Sequence, residues 1–228
     1  MDGFEWAKGS VIGCAHIRIN KNNQDAVLIK STADYVIGIV ADGCGSKTHS
    51  EVGAWFGVEI LVEAIANHLP QSLTEETLDT IGEQVIDRLP KLSNFQDYYL
   101  FTLLGFVVTS TDTIVFGCGD GLFSINGDLS QLSFENNAPP YLIYPGTKLE
   151  VYQHIPTEEL TSIVIATDGL EDWLKAKDLN QFSQLDKYFK NPDQVRRTLA
   201  IAQKKESLLA DDTTLITLRR KPLENTNQ

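Results

Sequence analysis

Val36-Ile37-Gly38-Ile39-Val40-Ala41-Asp42-Gly43 is an apolar, largely β-branched run that stops at an aspartate and a glycine. The same ending occurs twice more. Ser162-Ile163-Val164-Ile165-Ala166-Thr167 runs into Asp168-Gly169, and Thr113-Ile114-Val115-Phe116-Gly117-Cys118-Gly119 runs into Asp120-Gly121. Short β-branched runs bounded by turn residues predict buried strands. Each of these acids therefore stands where a strand leaves its sheet. Two more acidic sites stand where strands begin: Asp211-Asp212 opens Thr213–Leu218, and Gln24-Asp25 opens Ala26–Ile29.

The sheet fixes the backbone of such an aspartate while its carboxylate projects at the edge. A following glycine admits a ligand close to the main chain and can offer its carbonyl. Taken singly, Asp-Gly marks a tight turn. Repeated at three strand ends and joined by Asp211-Asp212, it points to a cation site, because gathered carboxylates repel one another unless a divalent ion balances them. Carboxylates, a carbonyl and water suit Mg²⁺ or Mn²⁺.

Outward from these runs, Tyr98–Thr109 and Thr113–Gly117 read as strands joined by Ser110-Thr111-Asp112. Phe123–Ile125 and Leu129–Leu132 flank Asn126-Gly127, a two-residue hairpin signal. Strands linked by short turns predict antiparallel sheets. Glu51–Leu69 carries an apolar stripe of Ala54, Val58, Leu61, Ile65 and Leu69, with Thr48 and Glu51 as a capping box or Ser50 as an alternative start. Leu73–Leu92 and Asp193–Lys205 also read as amphipathic helices. Asn136–Pro156, with its four prolines at 139, 140, 145 and 156, reads as an irregular surface excursion. Clustered strands and clustered helices give a layered α+β sandwich. One domain over residues 1–220 is expected, with a polar tail over 221–228.

Composition narrows the function classes. The 228 residues are 42% hydrophobic and 22% charged, and 19 basic against 31 acidic side chains leave a formal charge of −12. Nucleic acid and anionic membrane surfaces are thereby excluded as partners, since both are bound through Lys and Arg. Cys14, Cys44 and Cys118 form no C-x-x-C pair, so neither a zinc knuckle nor a disulfide framework is expected. The longest apolar stretches, Tyr35–Ala41 and Tyr98–Val108, fall short of the ~20 residues of a membrane span. Met1–Trp6 lacks the basic and apolar regions of a signal peptide, and a cytoplasmic location is expected. Gly43-Cys44-Gly45-Ser46-Lys47-Thr48 is not a P-loop, because Ser46 separates the last glycine from the lysine.

Gly13-Cys14-Ala15-His16, Asn23-Gln24-Asp25-Ala26, Ala41-Asp42-Gly43-Cys44-Gly45-Ser46, Ser50-Glu51-Val52-Gly53-Ala54, Gly119-Asp120-Gly121, Ala166-Thr167-Asp168-Gly169-Leu170 and Asp211-Asp212-Thr213-Thr214 resemble, in order, the motifs of the metal-dependent type 2C protein phosphatases, and most of all their compact bacterial branch. The resemblance spans residues 10–218. It implies a four-layer α-β-β-α sandwich with two central antiparallel sheets and a metal centre at one end. It also implies a serine/threonine phosphatase that hydrolyses phosphomonoesters with metal-activated water, using two or three Mg²⁺ or Mn²⁺ ions. The catalytic set it implies is Asp25, Asp42, Asp168 and Asp211. Asp42 matches the acid shared by two metals and Gly43 the carbonyl ligand. Asp168 and Asp211 match the other ligands of the first metal, Asp120 a third, weaker metal, and Asp25 an outer acid that orients water.

Several residues depart from the family pattern. Gln24 stands where many members have glutamate, and Asn20 stands at the place of the phosphate-binding arginine, with Arg18 the nearest substitute. Cys44 stands where eukaryotic members have a histidine, leaving the general acid unassigned. His16 and His49 are candidates for it, although histidines at strand ends more often serve as structural hydrogen-bonders. The expected partner is a phosphorylated protein, preferably with basic residues flanking the phosphate, in opposition to a Ser/Thr kinase. A non-catalytic regulatory or binding module on the same fold is the alternative that Gln24 and Asn20 suggest.

Overall fold

The run at 36–41 is a strand with all 6 residues buried, as expected for a segment that has packing on both faces. The structure is a computed structural model that describes residues 1, 3–69, 71–205 and 208–222. In chain order its elements are β1 (Phe4–Val11), α1 (Cys14–Arg18), β2 (Ala26–Ser31), β3 (Val36–Ala41), α2 (Ser50–His68) and α3 (Glu75–Arg88). There follow β4 (Leu103–Val108), β5 (Asp112–Cys118), β6 (Gly121–Ile125), β7 (Asp128–Leu132), β8 (Glu150–Pro156) and β9 (Ser162–Ala166). The chain closes through α4 (Glu171–Leu174), α5 (Gln181–Gln184), α6 (Lys187–Lys190), α7 (Gln194–Lys205) and β10 (Thr213–Arg220).

Two antiparallel sheets carry the strand orders β1-β10-β9-β6-β7 and β2-β3-β4-β5-β8. Three apolar layers hold them. Val40, Phe106, Val115, Phe123, Ile165 and Ile216 fill the space between the sheets. Ile37, Ile39 and Leu103 face Val58 and Leu61 of α2 and Leu78 of α3. On the far side, Val164 and Leu215 meet Trp173, Phe182, Tyr188 and Leu199 from the helical segment. Each fully buried aliphatic or aromatic side chain contributes about 1.5–3 kcal/mol. The result is the four-layer α-β-β-α sandwich. No helix among the described residues is long and apolar enough to cross a membrane.

The Asn126-Gly127 hairpin forms as expected, with φ of 54° and 99° at its two central residues. Other boundaries differ. Residues 150–156 form β8 and pair with β5, with a register shift between Val115 and Phe116, so only the part before Glu150 is irregular. The strand expected from Tyr98 starts at Leu103. Tyr98 instead stacks on His49, and the Tyr99 hydroxyl donates to the Pro90 carbonyl at 2.8 Å. The capping box at Thr48 and Glu51 does not form: His49 occupies the N-cap without a side-chain bond. Ser50 Oγ accepts from Gln24 Nε2 at 2.6 Å and donates to the Cys44 carbonyl at 3.1 Å. Residues 223–228 of the expected tail lie outside the described residues.

Candidate metal centre

Register explains why acids far apart in the chain meet. Ala26 pairs with Ala41, so Asp25 and Asp42 flank the same end of one sheet. In the other sheet Ala166 pairs with both Leu215 and Leu122. The acid after β9, the Asp-Asp before β10 and the acid before β6 therefore gather at that sheet's matching end. Gly169 is demanded by this crowding, since a Cβ there would lie 1.9 Å from the Asp212 carbonyl oxygen.

Asp42 lies at the middle of the cluster. Burial pushes its carboxyl well above the ordinary range, and the charges of Asp25, Asp168 and Asp211 push it the same way. Asp42 and Asp168 are close enough to share a hydrogen bond. Thr102 N–H donates to the Asp42 carbonyl and Cys44 N–H to the Leu100 carbonyl, both at 2.8 Å. These bonds flank the isolated bridge between Gly43 and Phe101, so the Gly43 carbonyl points away from that bridge.

Asp25 is 3% exposed. Burial raises its carboxyl strongly, hydrogen bonds from Thr214 and Thr167 oppose this, and the charges of Asp212 and Asp168 add to it. Asp120 is pushed up to about 7, chiefly by burial and then by the charge of Asp168. Asp211 is the open member, with its side chain 58% exposed. Its Oδ1 accepts the N–H of Asp212 at 2.8 Å. The five expected acids thus come together, and Gly43 lies beside Asp42. Arg18 sits apart in its contacts: it ends α1, exposed, with no hydrogen bond or ion pair among the described residues.

The donor set suits a hard divalent cation. Asp25 Oδ1, Asp168 Oδ1 and Gln24 Oε1 are buried oxygens with no hydrogen-bond partner among the described residues. A buried polar atom without a partner costs about 1–3 kcal/mol, more if charged. Several of them in one cluster of crowded carboxyls fit cation ligation and outer-sphere bonding to its water.

Asp212 and Tyr141 gain a place that sequence reasoning did not give them, and His16 takes the structural place expected of it. Asp212, rather than a ligand, is a buttress: Oδ1 accepts from Gly13 N–H at 2.7 Å, and Oδ2 from Gln24 N–H at 2.6 Å. His16, taken as a structural hydrogen-bonder, bonds Asp212 through Nδ1 at 2.8 Å. Tyr141 reaches in from the irregular segment. Burial raises its phenol, with Cys44, Asp120 and Asp42 adding to the shift. Burial also pushes the Cys44 thiol up, but hydrogen bonding with Ser46 and Tyr141 outweighs it and leaves the thiol below its ordinary value. Only Asp-Asp adjacency hinted at the first of these; nothing local marks Tyr141.

Several solved structures with this architecture are phosphatases. A bacterial serine phosphatase is 14% identical, with a TM-score of 0.75 over 96% of this chain and 98% of that one. A serine/threonine phosphatase of S. agalactiae is 16% identical, with a TM-score of 0.67 over 96% and 100%. The catalytic domain of the serine/threonine protein phosphatase PstP, solved with 2 manganese ions, is 15% identical, with a TM-score of 0.60 over 95% and 97%. At these identities the likeness establishes a shared fold. No curated protein matches the chain. The family model described as Protein phosphatase 2C matches residues 12–210, nearly the whole chain. The chain therefore belongs to the protein phosphatase 2C family.

Proposed function

We propose that the protein is a Mg²⁺- or Mn²⁺-dependent phosphatase acting on phosphoserine and phosphothreonine in proteins, in the cytoplasm and in opposition to a Ser/Thr kinase. The observation that carries this reading is the set of buried, unpartnered oxygens, Asp25 Oδ1 and Asp168 Oδ1, inside a cluster of mutually repelling carboxyls. Asp42, Asp168 and Asp211 with the Gly43 carbonyl would hold two ions, and Asp120 with Asp168 a third. Bound there, such ions supply Lewis acidity toward phosphoryl oxygens and lower the pKa of water toward neutrality. Asp25, tied to Thr167, would orient water. The manganese-bearing PstP domain on the same fold supports this reading.

Net charge of −12 favours phosphopeptides flanked by Lys and Arg over acidic ones. Arg18 is the candidate cation for the phosphate, through a bidentate contact. The non-catalytic alternative draws on Gln24 and Asn20, where glutamate and arginine are usual. Retention of Asp42, Asp120, Asp168 and Asp211 favours the enzyme.

The test is phosphate release from matched basic peptides carrying phosphoserine, phosphothreonine or phosphotyrosine, with Mn²⁺ and with EDTA. Release from the first two, abolished by EDTA, is expected. No release from any peptide supports the binding module. EDTA-resistant, vanadate-sensitive release points to a cysteine nucleophile instead.

A further inference from the structure

His16 is 6% exposed, and its two ring nitrogens face different neighbours. Nδ1 lies 2.8 Å from Asp212 Oδ2. Both Asp212 oxygens already accept backbone N–H groups, from Gly13 and Gln24. Nδ1 is therefore the donor in this contact, and in the neutral ring the lone pair falls on Nε2.

Nε2 faces Asp211. It lies 4.0 Å from Asp211 Oδ1 and has no hydrogen-bond partner among the described residues. The loop after Asp42 closes its other side, where a Cβ added to Gly45 would lie 3.7 Å from Nε2. Asp211 in turn acts on the charge state of Asp42. His16, Asp211 and Asp212 each bring a ligand atom within 4.8 Å of the others. Asp212 is occupied by its three donors, whereas Nε2 has none and Asp211 Oδ1 holds only the Asp212 N–H. A nitrogen and an oxygen bound to one cation at about 2.0–2.2 Å each stand about 3–4 Å apart.

We propose that His16 Nε2 is a nitrogen ligand of the divalent cation held by Asp211, with Asp212 as the carboxylate that orients the imidazole. The proposal rests on the metal-centre reading above and deepens it. Ligating histidines characteristically donate their second N–H to a carboxylate, which fixes the tautomer and the ring plane. Gly13 and Gln24 N–H hold that carboxylate in turn, so the ring is anchored by backbone on two sides. One imidazole among carboxylates shifts the site from Mg²⁺ toward transition metals such as Mn²⁺, because nitrogen is a softer donor than oxygen. With His16 the donor set would hold one nitrogen beside the oxygens expected from the sequence.

Pulsed EPR on the full-length, Mn²⁺-loaded protein tests the assignment directly. The wild type should show the coupling of a directly bound imidazole ¹⁴N, which becomes a ¹⁵N coupling when the protein carries ¹⁵N-histidine. His49→Gln should keep the signal. His16→Gln should lose it, with Mn²⁺ affinity falling at least about tenfold and Mg²⁺ affinity falling less. If His16→Gln does not fold, the labelled wild type and His49→Gln still decide the matter. Tight Mn²⁺ binding without an imidazole coupling overturns the proposal and leaves the metal-centre reading standing. A coupling that survives in folded His16→Gln also overturns it. Absence of any Mn²⁺ binding overturns both.

Discussion

The Thr167 hydroxyl donates to Asp25 Oδ2 across 2.9 Å, joining the end of β9 in one sheet to the start of β2 in the other. Thr167 Oγ1 itself accepts the Thr214 N–H at 3.0 Å, so β10 is drawn into the junction. One hydroxyl thus sets the spacing of the sheets where the acids gather. It also holds Asp25 so that Oδ1 is the free oxygen.

Thr167→Val keeps the shape of this side chain and removes its donor. Stability should fall by about 1–3 kcal/mol, the cost of an unmade buried bond. Mn²⁺-dependent hydrolysis of p-nitrophenyl phosphate should fall with it, and Thr167→Ser should restore both. Thermal melts and initial rates on the three proteins check this. A valine variant as stable and as active as the wild type would show that Asp25 needs no such anchor.

Asp120 should serve a weaker third ion, held otherwise by Asp168 and water, since Mg²⁺ and Mn²⁺ readily keep several waters. Asp120→Ala is then expected to lower turnover while the inner sites still fill. Calorimetric titration with Mn²⁺ should lose one weak event and keep the tighter ones. Loss of every event would make Asp120 an inner ligand, and no change in either assay would reduce Asp120-Gly121 to a turn.

Stability of the chelator-treated protein should depend on pH in a specific direction. Asp42 and Asp25 are raised by burial and neighbouring charge, and Asp120 reaches about 7. A carboxyl raised in the folded state contributes stability that is complete below its unfolded value near 4. That contribution is lost as pH rises through the folded value. The acids lowered by surface hydrogen bonds, Asp112, Asp172 and Asp186, have already given their contribution by pH 5, about one unit above the ordinary range. The melting temperature in EDTA should therefore fall between about pH 5 and pH 8. Added Mn²⁺ should raise it more at pH 8 than at pH 5. A melting temperature in EDTA that climbs across this window would show that the acids do not repel one another in the fold.

Central strands were legible in the sequence, as was the apolar edge strand β2, but the edge strands β1 and β8 were not. β3 and β9 read as apolar runs because both faces are covered. β1 and β8 lie at sheet edges; β1 alternates buried with open residues, and no residue of β8 is buried. Their patterns, with Lys8 in one and Gln153 and His154 in the other, carry too little apolar signal to stand out. β7 is also an edge strand, yet Asn126-Gly127 announced it. The acids at strand ends were legible for the same reason as the central strands, because the runs point to them. The division of labour between Asp211 and Asp212 was not. Neighbours on a strand face opposite ways, but only tertiary contact tells which way. The partner that decides it, His16, lies 196 positions away. The start of α2 followed a different rule from the one expected, because Gln24 and the Cys44 carbonyl claim the Ser50 hydroxyl.

The most direct test of the metal-centre account is the rate of Mn²⁺-dependent p-nitrophenyl phosphate hydrolysis by Asp42→Ala, measured against the wild type at saturating Mn²⁺. Asp42 is the acid surrounded by Asp25, Asp168 and Asp211, and on the proposed reading its removal would take a ligand from two ions at once. The rate should fall by at least about two to three orders of magnitude, the scale of losing a main electrostatic stabiliser. The variant should remain folded, since one crowded, repelled carboxyl is gone. Equal rates in the two proteins would contradict the account, for they would take Asp42 out of the site.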